Sequence, residues 1–247
     1  MATTTLPPYV AVEGNSGVGK SVTASALAEW LAPGQYFPEY FGYLDAQGGE
    51  SLPAFPPSTF EEVAYSNRLW PVLDMRRQQH RQLVTSAETR FQVLDTTPLS
   101  VIGYELAKAR LGIFSDIEDL ASRYVDLYDA ALLQQPGGWV FLSSPAEVIL
   151  SRIAHRGGSR DLLKRVDTIK YLDSVRRFFS THFLDATTFV WIDNSTCSLE
   201  CVIAEAIPFI EQLSGITQTS GLQAFFHEMK ENPKLRGELL CVEKSDP

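Results

Sequence analysis

The densest chemical signal in this chain of 247 residues is Gly14-Asn15-Ser16-Gly17-Val18-Gly19-Lys20-Ser21. These residues satisfy G-x-x-x-x-G-K-[ST] in full, straight after the apolar run Tyr9–Val12 and straight before an alanine-rich helical stretch. Glycines at 14, 17 and 19 let the backbone bend around phosphate groups with its amide hydrogens turned inward. Lys20 has the length and charge to reach β- and γ-phosphate oxygens. Ser21 offers a hydroxyl to Mg²⁺, at the positive end of the helix that follows. The pattern implies a nucleoside triphosphate site.

Other residues have chemistry suited to the same place. Glu39, in Phe37-Pro38-Glu39-Tyr40, and Asp95, in Leu94-Asp95-Thr96-Thr97-Pro98-Leu99-Ser100, each follow a short apolar run. A carboxylate at a strand's C-terminal end lies beside the phosphate loop, where Asp95 suits Mg²⁺ held directly or through water. Arg152, His155, Arg156, Arg160, Lys164 and Arg165 crowd into fourteen residues, with Gly157-Gly158 between two of the arginines. Such a run can neutralise the charge that develops on a transferring phosphoryl group. Between Tyr65 and His80, Tyr65 and Trp70 offer flat faces, Gln79 a paired donor and acceptor, and Arg76 a cation. Asp193-Asn194-Ser195 ends the last apolar run, where capping a helix is the ordinary role.

These residues need a scaffold. Short apolar runs at Tyr9–Val12, Gln35–Tyr40, Phe91–Leu94, Trp139–Leu142 and Phe189–Ile192 predict five strands. Helices are predicted over Ser21–Leu31, from Thr59 or Phe60 to about Val84 with an interruption at Pro71, and from Pro98, capped by Thr97, to Arg110. Further helices are predicted over Ser115–Leu133, from Pro145 toward His155, over Asp167–Phe179 and over Leu199–Leu213. Gly42–Ser58 reads as a loop or flap, and the tail after Gly215 as one or two short helices around Leu222–Met229. Strands alternating with helices indicate an α/β protein with a largely parallel sheet covered on both faces.

Composition narrows the partners. With 21 Lys and Arg against 30 Asp and Glu, the net charge of -9 argues against a nucleic-acid partner at long range. Small phosphorylated ligands remain compatible with it, because a few arginines and backbone amides suffice to hold them. Cys197, Cys201 and Cys241 lack paired metal spacing, and the histidines at 80, 155, 182 and 227 are scattered, so ordinary thiols are expected. The N-terminus has no basic and apolar leader, and no stretch approaches 18 apolar residues. A cytoplasmic protein with no membrane partner is the expectation.

From the loop 14–21, Glu39, Asp95 and the run 152–165 together, residues 9–213 resemble the deoxynucleoside kinase and thymidylate kinase group. The resemblance implies a P-loop NTPase three-layer sandwich, with a kinase domain over 1–213, an arginine-rich lid over about 152–165 and an extension over 214–247. It implies ATP and Mg²⁺ as cofactors, with Lys20, Asp95, Arg152, Arg156 and Arg160 around the transferring group and Ser21 and Asp95 on the metal. Glu39 becomes the base toward an acceptor hydroxyl; Tyr65, Trp70, Arg76, Gln79 and the position of Thr96 face a nucleoside or nucleotide. Asp193 belongs to the loop near the adenine ring, and a homodimer through the long central helices is compatible with the group.

One position departs from the group: Thr96 stands where its members carry an arginine that holds the acceptor. Either Arg76 or Arg77 reaches in from the preceding helix, or the acceptor is not a nucleoside. A kinase of another hydroxyl compound (an antibiotic, a sugar or another metabolite) is therefore a second reading. A regulatory nucleotide-binding NTPase is a third, although no guanine-selecting N-K-x-D segment is evident, and a nucleic-acid end kinase would require a basic channel.

Overall fold

The computed structural model describes residues 9–47, 57–86, 88–155, 165–213 and 220–241, with the backbone alone for 45–47. Strand β1 (Tyr9–Gly14) is buried along its whole length, as the centre of a sheet must be. It is flanked by β3 (Phe91–Asp95) and β4 (Gly138–Ser143), which pair outward with β2 (Gly34–Phe37) and β5 (Phe189–Asp193). The order is β2-β3-β1-β4-β5, and every pairing is parallel. The chain thus moves to one side of β1 for β2 and β3, and to the other for β4 and β5. The crevice beyond the carboxyl ends at that reversal is where such sheets hold ligands.

Side chains alternate between two cores, as a period of two requires. Val10, Val12, Val93, Val140, Leu142 and Ile192 pack beneath α1 (Lys20–Trp30), α6 (Ala146–His155) and α8 (Leu199–Gln212). Ala11, Trp139 and Phe141 face the opposite side, packed against α3 (Phe60–Val84), α4 (Pro98–Arg110), α5 (Ile117–Asp129) and most of α7 (Val166–Phe183). The result is the three-layer α/β sandwich with a five-stranded parallel sheet that the strand and helix pattern predicts.

Two local expectations are corrected. The stretch read as a loop from Gly42 begins inside a helix, α2 (Tyr40–Gln47), because Tyr40 and Leu44 share one face and are both buried; residues 48–56 lie outside those described. Nor does Pro71 interrupt α3, which runs through it for 25 residues. The roughly 3 kcal/mol that an interior proline costs is offset by anchors on either side. Asn67 Nδ2 donates to the Asp116 carbonyl (2.8 Å), Pro71 is itself buried, and Arg77 bonds three strand-end carbonyls. Thr97 caps α4 with Pro98 as its first residue, as expected.

The tail folds onto the same core. Helix α9 (Gly221–Glu231) buries Leu222, Phe225, Phe226 and Met229, and α10 (Pro233–Cys241) buries Leu239. Phe226 stacks on Tyr124 of α5 at 4.6 Å, while Phe225 meets Phe179 and Phe183 of α7 edge-on at 5.4 and 5.1 Å. Arg236 donates to Glu118 at 2.9 Å and to the Met229 and Lys230 carbonyls. Among the described residues no helix is long and apolar enough to cross a membrane.

With its ring fully buried between two helices, Phe225→Ala is expected to destabilise the chain by about 3–5 kcal/mol. Urea unfolding followed by tryptophan fluorescence measures it; a loss below about 1 kcal/mol would show that α9 packs on the surface only.

Candidate active site

The glycine-rich loop 14–21 joins β1 to α1, and its geometry explains its glycines. Gly14 lies so close to β4 that a Cβ would stand 2.6 Å from the Leu142 carbonyl oxygen. Gly19, at φ 107°, adopts a backbone that a side chain resists, and a Cβ there would meet Asn194 Nδ2 at 2.9 Å. The loop is closed by Val18 N–H donating to the Asn15 carbonyl at 3.2 Å, and Lys20 Nζ donates to that same oxygen at 3.3 Å. Lys20 is buried, whereas Ser16 is half-buried and Ser21 exposed. No side chain caps the start of α1 and no acid occupies its first turn. Its first amides therefore keep their donor capacity for an anion.

A second arm of the site comes from the other side of the loop. Arg152, on α6, donates to the Val18 carbonyl (3.3 Å) and the Asn194 carbonyl (2.8 Å). Asn194 Nδ2 donates to Val18 as well, at 2.5 Å, so the loop after β5 is stitched to the phosphate loop. The neighbouring Asp193 carboxylate is exposed and accepts from the Ser195 amide at 2.8 Å, a local turn. Arg156 and Arg160 lie outside the described residues.

Carboxylates gather at the ends of β2 and β3. Asp95 is fully buried; its Oδ1 accepts from the Thr96 hydroxyl at 3.1 Å, and its Oδ2 has no hydrogen-bond partner. Glu39 is half-buried just past β2. Between them stands Tyr36, which the sequence reading passed over. Burial pushes its phenol up to about 12, the charges of Asp95 and Glu39 push in the same direction, and Arg77 and the nearby Ser21 hydroxyl oppose them. Tyr36 is thus a neutral O–H in the midst of Ser21, Asp95 and Glu39.

Of the two arginines considered for the place of the missing one, Arg77 points inward and Arg76 lies on the exposed side of α3. Arg77 Nη1 donates to Asp74 (3.3 Å) and the Thr96 carbonyl (3.1 Å); Nη2 donates to the Pro38 (2.9 Å) and Asp95 (2.8 Å) carbonyls. Asp74 also accepts from the Tyr40 and Tyr124 hydroxyls, at 2.8 and 2.6 Å, although burial raises its own carboxyl. Thr96, at φ 69°, donates its amide to the Val12 carbonyl. Trp70 packs edge-on against Tyr40 at 5.2 Å and donates to Ser66, so it is half-buried beneath this group. Tyr65 and Gln79 are exposed, and the buried glutamine is Gln78, bonded by Arg81. Asp74, Arg77, Gln78 and Arg81 recur at helical spacing, and that phase was the signal for the inward stripe.

Behind the loop lies a polar group with no sequence signature. Glu13, fully buried, accepts from the Thr97 amide and hydroxyl (both 2.7 Å) and from Ser100 (2.6 Å). Arg176, on α7, donates to the Gly14 carbonyl (3.0 Å), Asn15 Oδ1 (3.1 Å) and Ser100 (3.3 Å), and its Nε stands 3.6 Å from Glu13. Asn15 Nδ2 donates to the Ile169 carbonyl and to Asp173, at 3.0 and 2.8 Å. Burial pushes the Asp173 carboxyl up to about 6 against the pull of Arg176 and Arg177.

No protein-family model and no curated protein sequence matches this chain. Solved structures do. A deoxyadenosine kinase from M. mycoides, with the products dCMP and a flexible dCDP bound, superposes with a TM-score of 0.60. It shares 17% identity over 83% of this chain and 99% of that one. Thymidylate kinase from Candida albicans gives a TM-score of 0.57 and 21% identity over 83% and 92% of the two chains. The likeness establishes the fold alone: this chain is built as those kinases are.

Proposed function

We propose that the chain is an ATP-dependent small-molecule kinase, transferring the γ-phosphoryl group to a nucleoside or nucleotide. The observation that carries this reading is the loop 14–21, set between the central strand β1 and an α1 whose start no side chain caps, with the buried, unpartnered Asp95 Oδ2 at the end of the adjacent strand. The fold shared with nucleoside and nucleotide kinases supports it.

Each residue has a task that follows from its surroundings. The loop amides of 14–20 and the first turn of α1 receive phosphate oxygens, and Lys20 exchanges its bond to the Asn15 carbonyl for one to them. The unpartnered Asp95 Oδ2 and the exposed Ser21 hydroxyl fit Mg²⁺, which commonly takes one or two protein oxygens and completes its shell with phosphate and water. Bound there, the ion supplies charge neutralisation to the phosphate oxygens. Glu39 takes the proton of an acceptor hydroxyl; toward an acceptor phosphate it orients instead. Tyr36 donates its O–H without ionising. Arg156 and Arg160 complete the proposal as charge partners of the transferring group, and Arg152 holds the loop from outside.

One observation favours a second reading, a hydroxyl acceptor that is not a nucleoside. Thr96 replaces the arginine of the kinase group, and Arg77 commits all four terminal N–H groups to Asp74 and three carbonyls. The acceptor receives no guanidinium from it.

ADP release should be measured with Mg²⁺-ATP across nucleosides, nucleoside monophosphates, sugars and other alcohols. Turnover dependent on a nucleoside or nucleotide is the expected result. Turnover with other alcohols alone replaces it by the second reading, and hydrolysis that no acceptor accelerates overturns both. With the acceptor found, Glu39→Gln should lower kcat by roughly 10²–10⁴-fold for a hydroxyl while the KM for ATP stays nearly constant. Asp95→Asn should raise the Mg²⁺ concentration needed for half-maximal rate by roughly 10–100-fold; an unchanged requirement would remove Asp95 from the metal.

A further inference from the structure

Arg176 lies 163 residues from Glu13 in sequence, yet the two are in contact behind the phosphate loop, 2% and 0% exposed. Buried ion pairs are weak sources of net stability, because desolvation offsets their attraction, so the reason for this one is better sought in the geometry it imposes. Arg176 has no open face toward a ligand. Its partners are instead parts of the site: the first peptide of the loop through the Gly14 carbonyl, the loop's first side chain through Asn15 Oδ1, and the opening turn of α4 through Ser100. That turn follows Asp95 by two residues, and Glu13 ties it down by accepting from Thr97 and Ser100.

The constraint reaches the loop amides directly. A peptide unit is planar and trans, so the Gly14 carbonyl and the Asn15 N–H point in opposite directions. By holding that carbonyl, Arg176 sets the direction of the amide that opens the loop. The Asn15 side chain is equally fixed: its amide nitrogen donates twice to α7, and its oxygen accepts from Arg176.

We propose that Arg176 is a positioning residue for the phosphate loop, acting with Glu13 and Asn15 to aim the loop's first amide at the β- and γ-phosphates of a nucleoside triphosphate. The proposal rests on the reading of residues 14–21 as a nucleotide site. It assigns a role to three buried polar side chains that touch no reacting atom, and it makes α7 part of the phosphate-binding apparatus.

The test compares ADP with adenosine, since only ADP engages the loop. Arg176→Lys keeps a charge opposite Glu13 but lacks the planar fork needed to bond Gly14, Asn15 and Ser100 together. Titration calorimetry should show ADP affinity falling by roughly 10–100-fold, the loss expected from about 1 Å of misplacement, with adenosine affinity within twofold of wild type. Should Arg176→Lys fail to fold, Asn15→Ala leaves the Arg176–Glu13 contact in place and is expected to weaken ADP selectively in the same way. ADP bound within twofold of wild type by the folded variants would overturn the proposal, as would equal losses for ADP and adenosine, the mark of general destabilisation. A wild-type chain that binds adenosine but gains nothing from the phosphates of ADP would overturn the nucleotide-loop reading itself, and the positioning role with it.

Discussion

The carboxyl ends of parallel strands leave main-chain carbonyls without ladder partners, and a buried carbonyl without a donor costs about 1–3 kcal/mol. In this molecule guanidinium groups from three helices meet that need around one crevice. Arg77 of α3 takes Pro38, Asp95 and Thr96; Arg176 of α7 takes Gly14; Arg152 of α6 takes Val18 and Asn194. These bonds tie α3, α6 and α7 to the strand ends. Each charge-assisted bond contributes about 1.5–3 kcal/mol, but removing a guanidinium from water costs several kcal/mol in return. The two nearly cancel, so what the arginines chiefly provide is direction. A rigid planar fork, as in Arg77, holds two strand ends at fixed angles to one another, which a lysine cannot do.

That division of labour explains which parts of the site were legible in the sequence. The loop was, because its glycines answer to backbone geometry and its Lys20-Ser21 pair has the chemistry we propose for phosphate and metal, all within eight residues. Asp95 was legible from its position after an apolar run. Arg77 was only half so: it and Arg76 differ by one step, about 100° around the helix, and only the helix phase separates an inward from an outward side chain. The phase was present in Asp74, Arg77, Gln78 and Arg81, but four polar residues on an inward stripe contradict the usual amphipathic pattern. Glu13 and Arg176 left no local trace, since their contact exists only once β1 and α7 have met.

The elements show the same split between local and tertiary causes. Pro98 after Thr97 started α4 where capping chemistry placed it. Pro71, read by the same local rule, did not end α3, because packing on both sides of it outweighed one lost bond. Helix α2 was hidden by Gly42, and the burial of Tyr40 against α3 and of Leu44 in the same core makes it worth forming. The tail carried its signal in Leu222, Phe225, Phe226 and Met229, a helical apolar face whose partner surface on α5 and α7 no local pattern reveals.

The donors that remain also bear on the acceptor we propose. Around Tyr36 stand two carboxylates, Glu39 and Asp95, and the guanidinium nearest them is already committed to carbonyls and Asp74. Asp95 keeps one oxygen without a partner, and a bound cation would answer it. Among the described residues Glu39 forms no ion pair. An acceptor phosphate would bring up to two negative charges toward that carboxylate, and at short range in a partly desolvated crevice such repulsion is costly. A hydroxyl reverses the sign of the interaction, because its proton is what a carboxylate base accepts and the neutral Tyr36 O–H can donate to the oxygen left behind. For the kinase we propose, the charges described at these strand ends suit an alcohol better than a phosphate as acceptor.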